Sequence, residues 1–390
     1  MTIKSFKRIK QYKDKVFLVR CDFNVPIEKG QIKEDYKLKQ SLATINFLIS
    51  QGAKVVLISH LGRPQKREVA FSLKPVAERL SHLLGSKVFF SQDIVGLKAK
   101  KAIKKLSAGE VLLLDNIRFL EGEEKNSRVL AKQLASLADI YINEAFAVSH
   151  RLASSVSAIK NYLPAYAGLL LEKEVENLAK AFKPKKPLVV IVGGAKVKSK
   201  IKLLEKLLKS ADSICLGGAL ANTFLAACGI NIGKSLIDEE GLVWAKNFIS
   251  KKTVEKKIVL PLDALVLSQG KKIVKKVDKL KKTEAILDIG PETMSVFCKQ
   301  IKLAKTVIWN GPLGKFEDKR FQQGTLSVAR QVAISSTKNT FSVVGGGETV
   351  EALAELKASK NISWISTGGG AMLSFLAGEK MPGLEKIVKL

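Results

Sequence analysis

The chain alternates short, unbroken apolar runs with segments whose apolar residues recur every three to four positions, and it does so along nearly its whole length. Near-continuous apolar runs belong to strands buried on both faces. That is the condition of a parallel sheet, where each strand is reached through a crossover helix. In the first half the runs are VFLVR (16–20), KVVLIS (54–59), KVFF (87–90), VLLLD (111–115) and DIYIN (139–143). In the second they are LVVIV (188–192), SICL (213–216), KIVL (257–260), AILDI (285–289), TVIWN (306–310) and FSVV (341–344). Helix-like stretches separate them, such as LKPVAERLSHLLG (73–85), which closes on a C-terminal glycine. The pattern predicts an α/β protein with two similar parallel-sheet layers.

A chain of 390 residues exceeds what one hydrophobic core ordinarily supports, so two domains are expected. In LLLEKEVENLAKAF (169–182) the residues Leu171, Val175, Leu178 and Phe182 form one apolar stripe of a long helix, and KPKKP (183–187) stops it. The expected division is therefore a first domain over 1–168, a joining helix over 169–184 and a second domain over 185–372.

No stretch of about 18 uninterrupted apolar residues suggests a membrane span, and the N-terminus lacks the apolar core of a signal peptide. The four cysteines, Cys21, Cys215, Cys228 and Cys298, form neither a CxxC pair nor a dense framework, which suits a reduced, cytoplasmic setting. Three histidines, His60, His82 and His150, leave little material for a histidine-based metal site or a Ser-His-Asp relay. Chemistry that needs no histidine is favoured.

Lysine and arginine number 66 against 36 acidic residues, a net charge of +30 that would attract polyanions or small anionic substrates. The basic residues are spread along the chain. The densest run, KKIVKKVDKLKK (271–282), contains no aromatic side chain on which a base could stack, so it reads as a solvated surface. A basic nucleic-acid-binding α/β protein is the alternative reading. It explains the charge and none of the residues at the strand ends.

In open α/β sheets, ligands bind beyond the carboxyl ends of the strands. In the first half those positions hold Asp22, Asn24, His60, Arg63, Arg118 and Arg151. Guanidinium forks match phosphate or carboxylate oxygens bidentately, and Asp22 and Asn24 can accept from a hydroxyl. A small hydroxylated phospho-acid satisfies the set. In the second half the same positions hold GGAK (193–196), GG (217–218), DIGPE (288–292), WNGPLG (309–314), GGGET (345–349) and TGGG (367–370). Glycine loops leading into helices let backbone N–H groups approach phosphates. In VVGGGETV (343–350) the carboxylate of Glu348 stands where it could hold a phosphate-bound metal ion.

Familiar fingerprints are missing. No GxGxxG follows a strand, which argues against a nicotinamide-dependent dehydrogenase, and GINIGKS (229–235) misses the P-loop spacing by one residue. Ser199 to Lys202 fits SxxK without its companion motifs. An anion site paired with a nucleotide site suits phosphoryl transfer, which depends on positioning and charge neutralisation more than on acid–base groups.

Taken in order, RCDFNVP (20–26), SHLGRP (59–64), DNIRF (115–119), HR (150–151), GGAKVKSK (193–200), WNGPLGKFE (309–317), GGGET (345–349) and STGGGA (366–371) resemble the phosphoglycerate kinases. The resemblance implies two Rossmann-like domains, each a parallel sheet flanked by helices, joined by a hinge helix and closing by hinge bending. It also implies a cytoplasmic monomer whose C-terminal segment, 373–390, packs back on the first domain. The implied reaction is reversible transfer between 1,3-bisphosphoglycerate and ADP, giving 3-phosphoglycerate and ATP with Mg²⁺; no specific nucleic acid and no membrane partner are implied.

By the same resemblance, Asp22, Phe23, Asn24, Lys37, His60, Leu61, Gly62, Arg63, Arg118 and Arg151 bind the glycerate. Lys200, Gly217, Gly218, Asn310, Pro312, Glu317, Gly346, Gly347, Glu348 and Thr349 bind the nucleotide, Glu348 being the metal contact. Arg151, Lys196, Gly369 and Gly370 act on the transferring group. Departures from the family pattern are Lys37 for an arginine, Ala43 for proline, Glu144 for aspartate, Ala153 for a histidine and Glu348 for aspartate.

Overall fold

In the computed structural model, which describes residues 1–198 and 200–389 and only the backbone of Thr253 and Glu255, twelve strands form two six-stranded parallel sheets. Ser199, within the GGAKVKSK run, lies outside the described residues. The first sheet contains β1 (Val16–Arg20), β2 (Lys54–Ile58), β3 (Val88–Ser91), β4 (Val111–Leu114), β5 (Ile140–Asn143) and β6 (Ala165–Ala167), in the order β3-β4-β2-β1-β5-β6. The second contains β7 (Leu188–Val192), β8 (Ser213–Leu216), β9 (Ile258–Val259), β10 (Thr306–Asn310), β11 (Phe341–Gly345) and β12 (Trp364–Ile365), in the order β9-β8-β7-β10-β11-β12. The apolar runs are buried as their composition requires. Phe17, Val19, Val55, Leu57, Leu113 and Ile142 sit in the core of the first sheet. Val190, Ile191, Ile214, Ile308, Trp309 and Val343 are buried in the second, each such side chain contributing about 1.5–3 kcal/mol.

AILDI departs from the expected parallel pattern. Ala285–Ile289 pairs antiparallel with Asp263–Ser268, whose other edge is Lys271–Lys276. Gln269 and Gly270 both adopt positive φ, the two-residue turn that pairs Asp263–Ser268 with Lys271–Lys276. The lysine run is thus partly an edge strand. Lys275 pairs with the buried Glu284 and Lys276 with Glu292, so part of its charge is spent internally.

The two compact units are Met1–Glu176 with Lys380–Leu390, and Asn177–Glu379. The division falls inside the helix Leu169–Ala179, which buries Leu171, Val175 and Leu178; Phe182 follows in a 3-10 turn and stacks on Phe375. Residues 373–379 stay with the second unit because the helix Gly369–Leu376 packs on the helix Ile201–Leu208. From Lys380 onward the chain belongs to the first unit. Val388–Lys389 pairs antiparallel with Thr2–Ile3, Asn143 Nδ2 donates to the Gly383 carbonyl at 3.0 Å, and the buried Lys160 donates to the carbonyls of Pro382 and Glu385. Among the described residues no helix is long and apolar enough to cross a membrane.

Candidate active site

The first unit gathers its charged side chains where β1, β2 and β4 end. The chain leaves β1 at Arg20 and presents Asp22, which is buried, and Asn24, which is exposed. Lys37, on the helix Tyr36–Ser50, donates to Asp22 Oδ2 at 2.9 Å and to the Asn24 carbonyl at 3.2 Å. Burial pushes the Asp22 carboxyl up, but the Lys37 amine, with the Asn24 N–H, holds it below the usual carboxylate range. Phe23 is buried and its N–H donates to Ser59 Oγ at 2.8 Å, which ties the end of β1 to that of β2.

Beyond β2, Gly62 takes φ +58°, and a Cβ there would lie 2.4 Å from the Phe71 ring, so only glycine fits. Its N–H donates to Asn24 Oδ1 at 2.9 Å, while Leu61 N–H donates to Asn116 Oδ1 at 3.2 Å. Arg118 donates to the Gly62 carbonyl and pairs with Glu124 at 3.2 Å. Burial pushes its guanidinium down; Glu124 opposes this, and Arg151, Arg20 and Arg63 push it further. Three guanidinium groups thus bear on that of Arg118, and Arg20, Arg118 and Arg151 line a cavity of about 160 Å³. An anion entering that cavity would relieve like-charge repulsion.

In the second unit the strand ends supply backbone. A Cβ at Gly193 would lie 1.9 Å from the Pro312 carbonyl oxygen, and Gly194 N–H donates to that same oxygen at 2.8 Å. Gly218 N–H donates to the Leu313 carbonyl at 2.8 Å, opening the helix Gly218–Ala227 behind Gly217. Asn310 Nδ2 donates to the Gly345 carbonyl at 3.0 Å, and Gly311 N–H donates to Thr349 Oγ1 at 2.9 Å. Gly346, at φ +101°, is the N-cap of the helix Gly347–Glu355. Gly369 opens the helix Gly369–Leu376, and a Cβ on it would come within 3.4 Å of Gly346 Cα. Two helix N-termini therefore converge.

A cavity of about 380 Å³ runs along these loops, lined by Gly194, Gly218, Pro312, Glu317 and Glu348 among others. Lys196 instead lines an adjoining open depression with Lys198 and Asp238. Lys200 is buried; burial pushes its amine down against the opposing pull of Glu348. Burial, then Glu317 and Glu351, push the Glu348 carboxyl up. A carboxylate crowded by like charges would be relieved by a cation. Among the described residues no cluster of three or more His, Cys, Asp or Glu could hold a metal ion by itself. That donor set fits Mg²⁺ held by one carboxylate together with the ligand's own phosphates.

Three residues at these sites were given no role from the sequence, although Arg20 and Asp288 lie in the runs RCDFNVP and DIGPE. Arg20 is buried against His60 and Glu123, and its signal was available: a charge inside a run of core residues needs a partner. Glu123 lines the arginine cavity, and it accepts from Ser155 Oγ at 2.6 Å. Asp288 lines the larger cavity, accepting from Gly324 N–H at 2.7 Å, with its carboxyl pushed up to about 7 by burial.

Residues 7–379 match the family described as phosphoglycerate kinase. The phosphoglycerate kinase of Dictyoglomus turgidum is 42% identical over 385 residues, 97% of this chain and 96% of its own length. Among solved structures, the phosphoglycerate kinase from Coxiella burnetii aligns with a TM-score of 0.85 at 40% identity, covering 98% of both chains. That from Pyrococcus horikoshii OT3 aligns with a TM-score of 0.89 at 32% identity, again over 98% of both. The likeness runs through both units and reaches every strand end described above, and the chain is therefore a member of the phosphoglycerate kinase family.

Proposed function

We infer that the chain catalyses reversible transfer of a phosphoryl group from 1,3-bisphosphoglycerate to ADP, giving 3-phosphoglycerate and ATP. The observation that carries the reading is the division of labour between the units: clustered guanidinium groups at the strand ends of one, convergent glycine-capped helix N-termini at those of the other. Asp22, Asn24 and Lys37 receive the hydroxyl and carboxylate of the glycerate; His60, Arg63, Arg118 and Arg151 receive its phosphate and the charge of the transferring group. Phe23, Leu61 and Gly62 shape the floor of that site.

In the second unit Gly217 and Gly218 flank the adenine and Glu317 meets the ribose. Asn310, Pro312, Gly346, Gly347 and Thr349 shape the phosphate cradle, and Lys200 neutralises nucleotide phosphate. Lys196 and the N–H groups of Gly369 and Gly370 stabilise the transferring phosphoryl group, whose charge spreads over its equatorial oxygens in the transition state. Mg²⁺ arriving with the nucleotide supplies further neutralisation of phosphate charge, with Glu348 as its protein contact. Arg151 and Lys196 belong to different units, so both units must act on one phosphoryl group, which is the role of hinge bending in this reading. A cytoplasmic monomer is the setting it supposes.

The test is a coupled assay with ATP, Mg²⁺ and 3-phosphoglycerate. Turnover that disappears on chelation and returns with added Mg²⁺ is expected, and a folded sample without turnover would refute the reading.

A further inference from the structure

We propose that Arg20 is a positioning residue that fixes His60 as its Nε2–H tautomer by donating to Nδ1, so that the ring presents one permanent donor to the phosphoglycerate. The inference rests on the reading of His60 as a phosphoglycerate ligand, and it starts from the burial of Arg20. That side chain is 2% exposed. Its Nε donates to Ser155 Oγ at 2.8 Å, its Nη1 to the Cys21 carbonyl, and its Nη2 lies 3.3 Å from His60 Nδ1. A guanidinium has donors only and does not lose its proton in proteins. A close contact between it and an imidazole nitrogen is favourable only when that nitrogen carries a lone pair. Nδ1 is therefore the acceptor, and the ring proton sits on Nε2.

The surroundings keep this arrangement from being accidental. Glu123, the carboxylate nearest Arg20, spends its oxygens on Ser155, accepting from Oγ at 2.6 Å and from the backbone N–H at 2.9 Å. It stays 3.8 Å from the guanidinium, so the Nη2 donor is left for the ring. Ser155 accepts from Arg20 and donates to Glu123, a buried chain that locks the fork in one orientation. Nε2 has no protein partner among the described residues and is not among the buried unpartnered atoms, so it keeps contact with solvent.

The charged groups acting on His60 are Arg20 from β1, Asp22 from the loop after it, Lys37 from the helix Tyr36–Ser50 and Arg118 from beyond β4. Burial pushes the imidazolium well below its usual range; Asp22, 3.9 Å from Nδ1, opposes this, and the three cations reinforce it. A neutral ring with a fixed tautomer donates at any pH near neutrality. An imidazolium would instead add charge only in acid.

With three histidines in the chain, nitrogen-15 spectra of the full-length protein resolve each ring. The expected result, without ligand, is a neutral Nε2–H tautomer for His60 that stays neutral through the ordinary histidine range. An Nδ1–H tautomer, or titration at or above the ordinary histidine value, would overturn the proposal. Arg20→Met should mix the tautomers, restore titration, and raise KM for 3-phosphoglycerate roughly tenfold, with KM for ATP and kcat changing less than about twofold. Arg20→Lys, which keeps a charged donor, should recover part of the tautomer. An unchanged ring spectrum in Arg20→Met would also sink the idea. If orphaned Glu123 prevents folding, the double variant Arg20→Met/Glu123→Gln removes the uncompensated charge. A changed tautomer with an unchanged KM would mean that His60 does not touch the substrate, and the functional half of the proposal would fall with that reading.

Discussion

The two units use the same architecture, a six-stranded parallel sheet with its ligand residues at the strand ends, and they reach opposite solutions. The first fills those ends with long cationic side chains held by a network of acceptors, among them Asp22, Glu124 and the carbonyls of Asn24 and Gly62. The second clears them of side chains, so that the N-termini of the helices beginning at Gly347 and Gly369 are the working groups. Side-chain sites can be tuned one residue at a time. Backbone sites are set by the fold and tolerate no added atom, which predicts different responses to mutation.

The sharpest separation should come from Arg151→Ala. In the proposed reading Arg151 serves the transferring group, and removing its guanidinium should cut turnover about 10²–10³-fold. The dissociation constant of ADP, measured calorimetrically on the full chain, should stay within about twofold. If ADP affinity fell as far as turnover, the assignment of cations to one unit and nucleotide to the other would be broken.

Glycine substitutions probe the other side. At Gly193 an alanine Cβ meets the Pro312 carbonyl at 1.9 Å, and backbone cannot step aside cheaply. Gly193→Ala should destabilise the fold by roughly 1–3 kcal/mol in denaturant unfolding, and weaken ADP about tenfold or more. Gly347 has no atom within 4 Å of an added Cβ. Gly347→Ala should leave stability unchanged or raise it by up to about 1 kcal/mol, because it begins a helix. Any loss of ADP affinity there reports the nucleotide alone, and no loss would remove Gly347 from the phosphate cradle.

How far each solution was legible in sequence follows from the same contrast. VFLVR, LVVIV, SICL and TVIWN are strands at the very bounds their apolar runs gave, because full burial leaves no other reading. AILDI has the same composition and pairs antiparallel, because its partner is Asp263–Ser268, a strand of a separate three-stranded sheet that AILDI's own residues do not reveal. Ala165–Ala167 and Trp364–Ile365 are too short to show a period. Asp22, Asn24 and the glycine loops could be read because strand ends are where such residues cluster. The partners of Arg20 and Asp288 could not, because Ser155 and Gly324 lie far along the chain from them.

Buried carboxyls extend the comparison to pH. In the first unit Glu144 accepts from Thr44 Oγ1 at 2.6 Å and from Leu170 N–H at 3.2 Å; burial nonetheless pushes it from 4.5 up to about 8. In the second, burial pushes Asp288 from 3.8 up to about 7. A carboxyl raised in the folded state holds its proton more tightly there than in the unfolded chain. Its contribution is full below the unfolded value and is lost as pH rises through the folded one. Thermal or denaturant stability should therefore fall between about pH 4 and 8, each group accounting for at most on the order of 4 kcal/mol. Glu144→Gln should flatten the upper part of that window, and Asp288→Asn the lower. Curves unaltered by both variants would mean that neither carboxyl is protonated in the native state.

The smallest effect tests the tunability of the side-chain site. Lys37 already engages Asp22 and the Asn24 carbonyl, so its charge is anchored and what it lacks is a second, parallel donor. In Lys37→Arg a guanidinium can keep Asp22 with one edge and offer the other to a carboxylate. KM for 3-phosphoglycerate should fall about two- to fivefold with kcat little changed, because the gain is made in binding and carried unchanged into the transition state. KM for ATP should not move. An unchanged or higher KM for 3-phosphoglycerate would mean that the lysine does not stand in for a fork. Asp22 would then be what Lys37 serves, holding that carboxylate ionised at the end of β1, and the cationic site would be less open to adjustment than its separate side chains suggest.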